Sequence, residues 1–151
     1  MNEDRYNLGR FAPAQDPLYA RVRAELAAGE KRSHWMWFIF PQLAGLGSSA
    51  TARNFALASL AEARAYLAHP LLGARLRECT QLVSGLRNRT AEEIFGYPDH
   101  MKFHSSMTLF ARAAASEADR SLFREALARY FGGEEDPLTV RGLTSGAGTS
   151  E

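Results

Sequence analysis

Trp35 to Phe40, reading WMWFIF, is an unbroken run of six apolar residues closed by Pro41. A run this short can be a buried strand or a buried helix, and periodicity does not separate the two. Its aromatic content leans towards strand. A strand needs a neighbour to take up its backbone N–H and C=O groups, and only Leu138 to Val140 offers a weak candidate. The run is therefore expected to be a short buried helix capped by Ser33 and ended by Pro41. With no sheet to build on, the fold is constrained to all-α.

The rest of the chain follows helical spacing. Leu8, Phe11 and Ala12 suit a short helix ending near Pro13. Asp16-Pro17 resembles a helix start, continued by Leu18, Val22 and Leu26 and stopped at Gly29. A helix begins near Thr51. Ser59 with Glu62, and Thr90 with Glu93, have the spacing of capping boxes. His69-Pro70 divides the helix through Tyr66 and Leu67 from one that carries Leu72, Leu76, Cys79 and Val83. Further helices are expected from about Asp99 to Ala115 and from Ser116 to Tyr130, with Gly132-Gly133 as a stop and a last short turn over Pro137 to Leu143. These readings predict a compact single-domain bundle of about six to eight helices. Residues 1–10 are expected to be a flexible N-terminus, 11–143 the helical domain, and 144–151 (TSGAGTSE) a disordered tail.

Composition narrows the function classes. A net charge of +1 gives no electrostatic reason to favour nucleic acid or a membrane surface. Cys79 is the single cysteine, so an intramolecular disulfide and a cysteine-rich zinc site are excluded. No apolar run reaches transmembrane length, and the opening MNEDRYNLGRF has no signal core. A cytoplasmic protein is expected.

Polar residues with chemical potential gather in two places. On a helix from Asp99, the residues Asp99, Lys102 and Ser106 form a polar line beside the apolar stripe of Phe103, Met107 and Phe110. Such a lysine can hold a substrate anion or, if desolvated, act as an acid or base. The competing reading is a capping Asp, a snorkelling Lys and a Ser bonded to its own helix. In the apolar run, Trp35 and Trp37 are core residues or a platform for a ring; on a regular helix they point about 200° apart. His34 can serve as a base or simply be hydrogen-bonded. Gly45 to Ser49, ahead of Arg53, is an ordinary loop or a generic anion nest, without the Lys-Ser/Thr of a phosphate loop. His100 and His104 are four apart, but lack the glutamate of HExxH and a clear third ligand, so no metal site is expected. No cofactor is implied.

Two longer patterns carry a resemblance. Lys31-x-Ser33-His34-Trp35-Met36-Trp37-x-x-Phe40-Pro41-Gln42, followed by Gly45 and Gly47, resembles the signature of a bacterial family known as domain of unknown function 1810. Asp99-x-x-Lys102-x-x-Ser105-Ser106-x-Thr108-Leu109-Phe110 resembles its second motif, and the likeness spans about Phe11 to Leu143. The resemblance implies a mostly helical single domain and brings no established activity. Members sometimes carry the label calpastatin, but calpain inhibition needs a disordered repeat protein, which this chain is not. His100 and His104 fall on unspecified positions of the motif.

Core packing does not ask for the polar residue types within these motifs, so a cleft between the two segments is expected. His34, Asp99 and Lys102 are its candidate acid-base groups. Lys31, Ser33, Trp35, Trp37, Gln42, Gly47, Ser49, Arg53, Ser105 and Ser106 are its candidate ligand-binding residues. The expected ligand is a small anionic molecule, phosphorylated or nucleotide-derived, and the expected reaction is hydrolysis of an N-glycosidic bond. The alternative is a non-catalytic module that binds a protein or peptide.

Overall fold

A computed structural model describes residues 4–146, with side chains as far as Thr144. Among these residues are ten α-helices and no strand. Leu138 to Val140 lies in the last helix, and the one β-bridge, Leu43 to Leu57, is isolated. The all-α expectation holds.

The chain enters through a 3-10 turn, Leu8–Arg10, and α1, Phe11–Gln15. Pro13 sits inside α1, within the first turn, where its missing N–H has no helical acceptor to lose. Helix α2 spans Tyr19–Ala28 and ends on Gly29 at φ 79°, a left-handed cap that glycine adopts without strain. Its start differs from expectation. Asp16 does not cap it, because the carboxylate is drawn to Arg75 at 2.8 Å, and Leu18 precedes the first turn instead.

The apolar run forms α3, Met36–Ile39, a single turn that begins after Trp35. It is helical, as the missing partner strand requires, but Ser33 does not cap it. The Ser33 hydroxyl donates to Glu25 at 2.6 Å. After α3, Gln42 and Ala44 pair with Leu57 through two backbone hydrogen bonds of 2.9 and 2.8 Å. These fold the loop back against α4, Ala50–Phe55, which Ser49 caps.

Helix α5, Leu60–Ala68, is capped by Ser59, yet only half of the reciprocal box forms. Glu62 turns away to accept from the Ala58 N–H at 2.8 Å and to pair with Arg10 at 3.1 Å. His69 caps α6, Pro70–Ser84, accepting from Leu71 and Leu72 through Nδ1. The Thr90–Glu93 box is complete on α7, Ala91–Phe95. Helices α8, Asp99–Ala113, and α9, Glu117–Phe131, follow; Gly132 ends the latter at φ 62°. Finally α10 runs over Pro137–Gly146, so Thr144 and the two residues after it continue the helix. The remainder of the tail expected to be disordered, residues 147–151, lies outside the described residues, as do residues 1–3 of the expected flexible N-terminus.

Helix α8 is the axis of the bundle and packs against α5, α7, α9 and α10. Its Phe103 is fully buried and receives Phe40 edge-on at 5.0 Å and Phe95 stacked at 4.6 Å. Phe40 also touches Trp35 and Phe95. Burying one such ring is worth about 2–3 kcal/mol. This aromatic knot therefore holds the segment after α2 against the first turns of α8. Among the described residues no helix is long and apolar enough to cross a membrane.

Candidate functional site

Lys31 and Lys102 are the only lysines in a chain rich in arginine, and both stand on one carboxylate. Lys31 Nζ lies 2.7 Å from Asp99 Oδ2, and Lys102 Nζ lies 3.2 Å from Asp99 Oδ1. The two motifs, some seventy residues apart in sequence, thus meet. Each ammonium also covers a tryptophan face: Lys31 over Trp35 at 5.2 Å, Lys102 over Trp37 at 5.0 Å. Cation–ring attraction of this kind gains strength as water is removed. The Lys31 side chain is 8% exposed and that of Lys102 25%, so Lys102 is the face of the cluster that meets solvent.

A buried glutamate shapes the turn that delivers Lys31. Glu25, on α2, accepts from the Arg32 N–H at 2.8 Å and the Ser33 N–H at 3.1 Å. It also accepts from Ser33 Oγ at 2.6 Å and Trp35 Nε1 at 2.9 Å. Burial opposes its ionisation, but hydrogen bonds from Ser33, the Arg32 amide and Trp35 outweigh that cost and bring its pKa down to about 2. The Lys31 N–H donates to the Ile94 carbonyl at 2.7 Å, which fixes the turn to α7 beside Asp99. Glu25 lies outside both sequence patterns. The available signal was its place beside Val22 and Leu26 on the buried stripe of α2, where an acid requires a partner.

The other candidate residues separate into those near this cluster and those used elsewhere. Trp35 is fully buried and spends its indole N–H on Glu25, so its role is in the core. Trp37 is half-buried and lines a hollow of about 10 Å³ with Gln42, Gly47, Ala52 and Phe55. That volume admits about one water molecule and no ring. Gly47 approaches Ala52 so closely that an added Cβ would lie 2.7 Å from the Ala52 Cβ, which explains the glycine by packing. Ser49 caps α4 through the Ala52 N–H, and Arg53 donates to the Ser48 carbonyl, so the loop satisfies itself. His34 is exposed.

On α8, the Ser105 hydroxyl donates to Asp136 Oδ2 at 3.1 Å, so it serves the contact with α10. Asp136 also accepts from Thr139 Oγ1 at 2.6 Å, and its own N–H donates to Thr108, which ties α10 to α8. Ser106, by contrast, is fully buried and its hydroxyl has no hydrogen-bond partner, one helical turn beyond Lys102. His104 stacks on Phe131 at 4.0 Å and donates from Nε2 to the Glu134 carbonyl at 2.7 Å. His100 faces the Gly96 carbonyl. Among the described residues no three His, Cys, Asp or Glu side chains gather as a metal site would require.

The model for the family described as "Protein of unknown function (DUF1810)" matches residues 5–143, nearly the whole chain. The chain belongs to this family. A crystal structure of the conserved hypothetical protein Rv1873 from Mycobacterium tuberculosis is similar to it, with 55% sequence identity and a TM-score of 0.89. The likeness covers 93% of this chain and 99% of that one. A comparison with curated proteins finds no match. Family membership thus agrees with the helical single-domain fold and carries no activity with it.

Proposed function

We propose that the Lys31–Trp37 segment and the start of α8 together bind a small phosphorylated or nucleotide-derived molecule. The observation that carries this reading is the pairing of two ammonium groups with one carboxylate. A chain that uses arginine almost everywhere else places both its lysines here. By formal charge the cluster keeps one positive charge in excess, half removed from water, where an anion gains most. Lysine's compact, mobile ammonium can leave Asp99 for an arriving phosphate more readily than an arginine fork could. Trp37 would receive the ring of the ligand, once the Gln42–Ser49 loop moves off its face.

Hydrolysis of an N-glycosidic bond is the reaction this arrangement would serve. Both Asp99 oxygens are engaged by ammonium groups. A phosphate that draws Lys102 away would free Oδ1 to take a proton from an attacking water. The water oxygen would bond to the sugar carbon as the C–N bond breaks, and His34 would supply the proton to the departing base. The single, buried Cys79 supports the bacterial cytoplasm as the setting.

The alternative, a module that binds a peptide or protein without breaking a bond, is favoured by Tyr97 and Met101. They are 75% and 52% exposed on either side of Asp99, an apolar edge open to a partner. A thermal-shift screen with ADP-ribose, NAD, nucleotides and sugar phosphates distinguishes the readings. A hit is expected to raise the unfolding midpoint of the wild type, and Lys102→Ala to abolish that rise while leaving the unliganded midpoint within about 1 kcal/mol of stability. Product analysis of the hit then separates turnover from binding. An unchanged response in Lys102→Ala, or an unfolded variant, would count against the site.

A further inference from the structure

A groove of about 990 Å³ opens between α5, α8, α9 and α10. Leu60, Ala111, Leu127 and Leu143 contribute its apolar surface. Arg112, Arg120 and Arg124 stand around it, with Glu135 as the lining carboxylate. Arg112 and Glu135 form a two-pronged pair, Nε to Oε2 at 2.7 Å and Nη2 to Oε1 at 2.8 Å. Arg120 pairs with the exposed Glu117 at 2.7 Å, while Arg124 is exposed and makes no ion pair among the described residues. Arg120 and Arg124 are four apart on α9, a spacing at which like charges repel.

We infer that this groove is a second binding site, for a small organic anion with an apolar body, of the aryl phosphate or aryl carboxylate class. Glu135 meets Arg112 and Glu117 meets Arg120, so the guanidinium of Arg124, which has only the more distant field of Glu135, is the positive charge left to be met. The Arg120–Arg124 repulsion is relieved when a dianion lies between them. Guanidinium forks suit phosphate and carboxylate oxygens in a way a point charge does not. Leucine and alanine side chains beneath would take an aromatic ring out of water, which inorganic phosphate cannot exploit. The volume lies at the upper end of the range used by small-molecule sites. None of its lining residues belongs to the Lys31–Asp99–Lys102 cluster.

Phenyl phosphate, inorganic phosphate and benzyl alcohol, titrated into the isotope-labelled full chain and followed by NMR, test the inference. Phenyl phosphate is expected to shift Arg120, Arg124 and Leu127 saturably and to bind roughly tenfold more tightly than inorganic phosphate, with no saturable response to benzyl alcohol. Arg124→Gln, at an exposed position, should weaken the phenyl phosphate response of Leu127 roughly tenfold, and Arg120→Gln should do the same, whatever residues 99–106 of the separate lysine cluster do. No saturable shift up to about 10 mM would overturn the proposal. So would equal affinity of the two phosphates at Leu127, an undiminished Leu127 response in both arginine variants, or shifts confined to residues 31–42 and 99–106.

Discussion

Glu25→Gln is expected to lower the stability of the fold by about 3 kcal/mol at neutral pH, a large share of what a domain this size possesses. The carboxylate is buried and accepts four hydrogen bonds, from two backbone amides, the Ser33 hydroxyl and the Trp35 indole. A carboxamide presents one acceptor oxygen and turns an NH2 group towards donors, leaving N–H groups unpaired in the interior. The pH dependence gives the loss a signature. A folded pKa of about 2, against an ordinary 4.5, means that the unfolded chain takes up the proton first as pH falls. The stabilisation is therefore complete above about pH 5 and is lost between about pH 5 and pH 2. Denaturant unfolding of wild type and variant should give curves about 3 kcal/mol apart at pH 7 that converge as pH drops towards about 2. A gap that stays constant with pH, or one under about 1 kcal/mol at pH 7, would refute the role assigned to this carboxylate.

Asp99→Ala is expected to be comparably costly for a different reason. It strands Lys31, whose side chain is 8% exposed, without the carboxylate 2.7 Å away. Removing one partner of a buried pair costs about 3–5 kcal/mol, because the remaining charge stays out of water. The more exposed Lys102 adds little to that sum. The cost should fall by more than half when Lys31→Met is combined with Asp99→Ala, since a thioether chain can lie on the Trp35 ring without a charge to compensate. Loss of the favourable acid at the first turn of α8, about 0.5 kcal/mol, is the part that will not be recovered. Unfolding free energies of the two single variants and the double variant check this. If the double variant is as unstable as the sum of the singles, Lys31 and Asp99 are not coupled.

What the chain discloses before folding depends on how local each device is. His69-Pro70, the Thr90–Glu93 box and Gly132 are complete within a few residues, so the boundaries of α6, α7 and α9 are legible in order. Asp16-Pro17 looks the same on paper, yet Arg75, some sixty residues away, claims the aspartate and the helix starts later. Glu62 behaves likewise, leaving half of its box for Arg10. The convergence of Lys31 with Asp99 was readable as two polar patterns that core packing does not require. Which of their members would face each other was not readable. Ser33, Trp35 and Ser105 are held by Glu25 and Asp136, residues outside both patterns whose importance arises only from tertiary burial.

The two lysines, their shared carboxylate and Trp37 acting as one ligand-binding unit can be followed directly by NMR. The full chain, isotope-labelled, is titrated with the compound that ranks highest in the thermal screen. Amides of residues 31–42, the Trp37 indole and amides of residues 99–106 are expected to shift along one saturation curve, and to stop responding in Lys102→Ala. Shifts confined to one of the two segments, or no saturable shift with ADP-ribose, NAD, nucleotides and sugar phosphates alike, would contradict it.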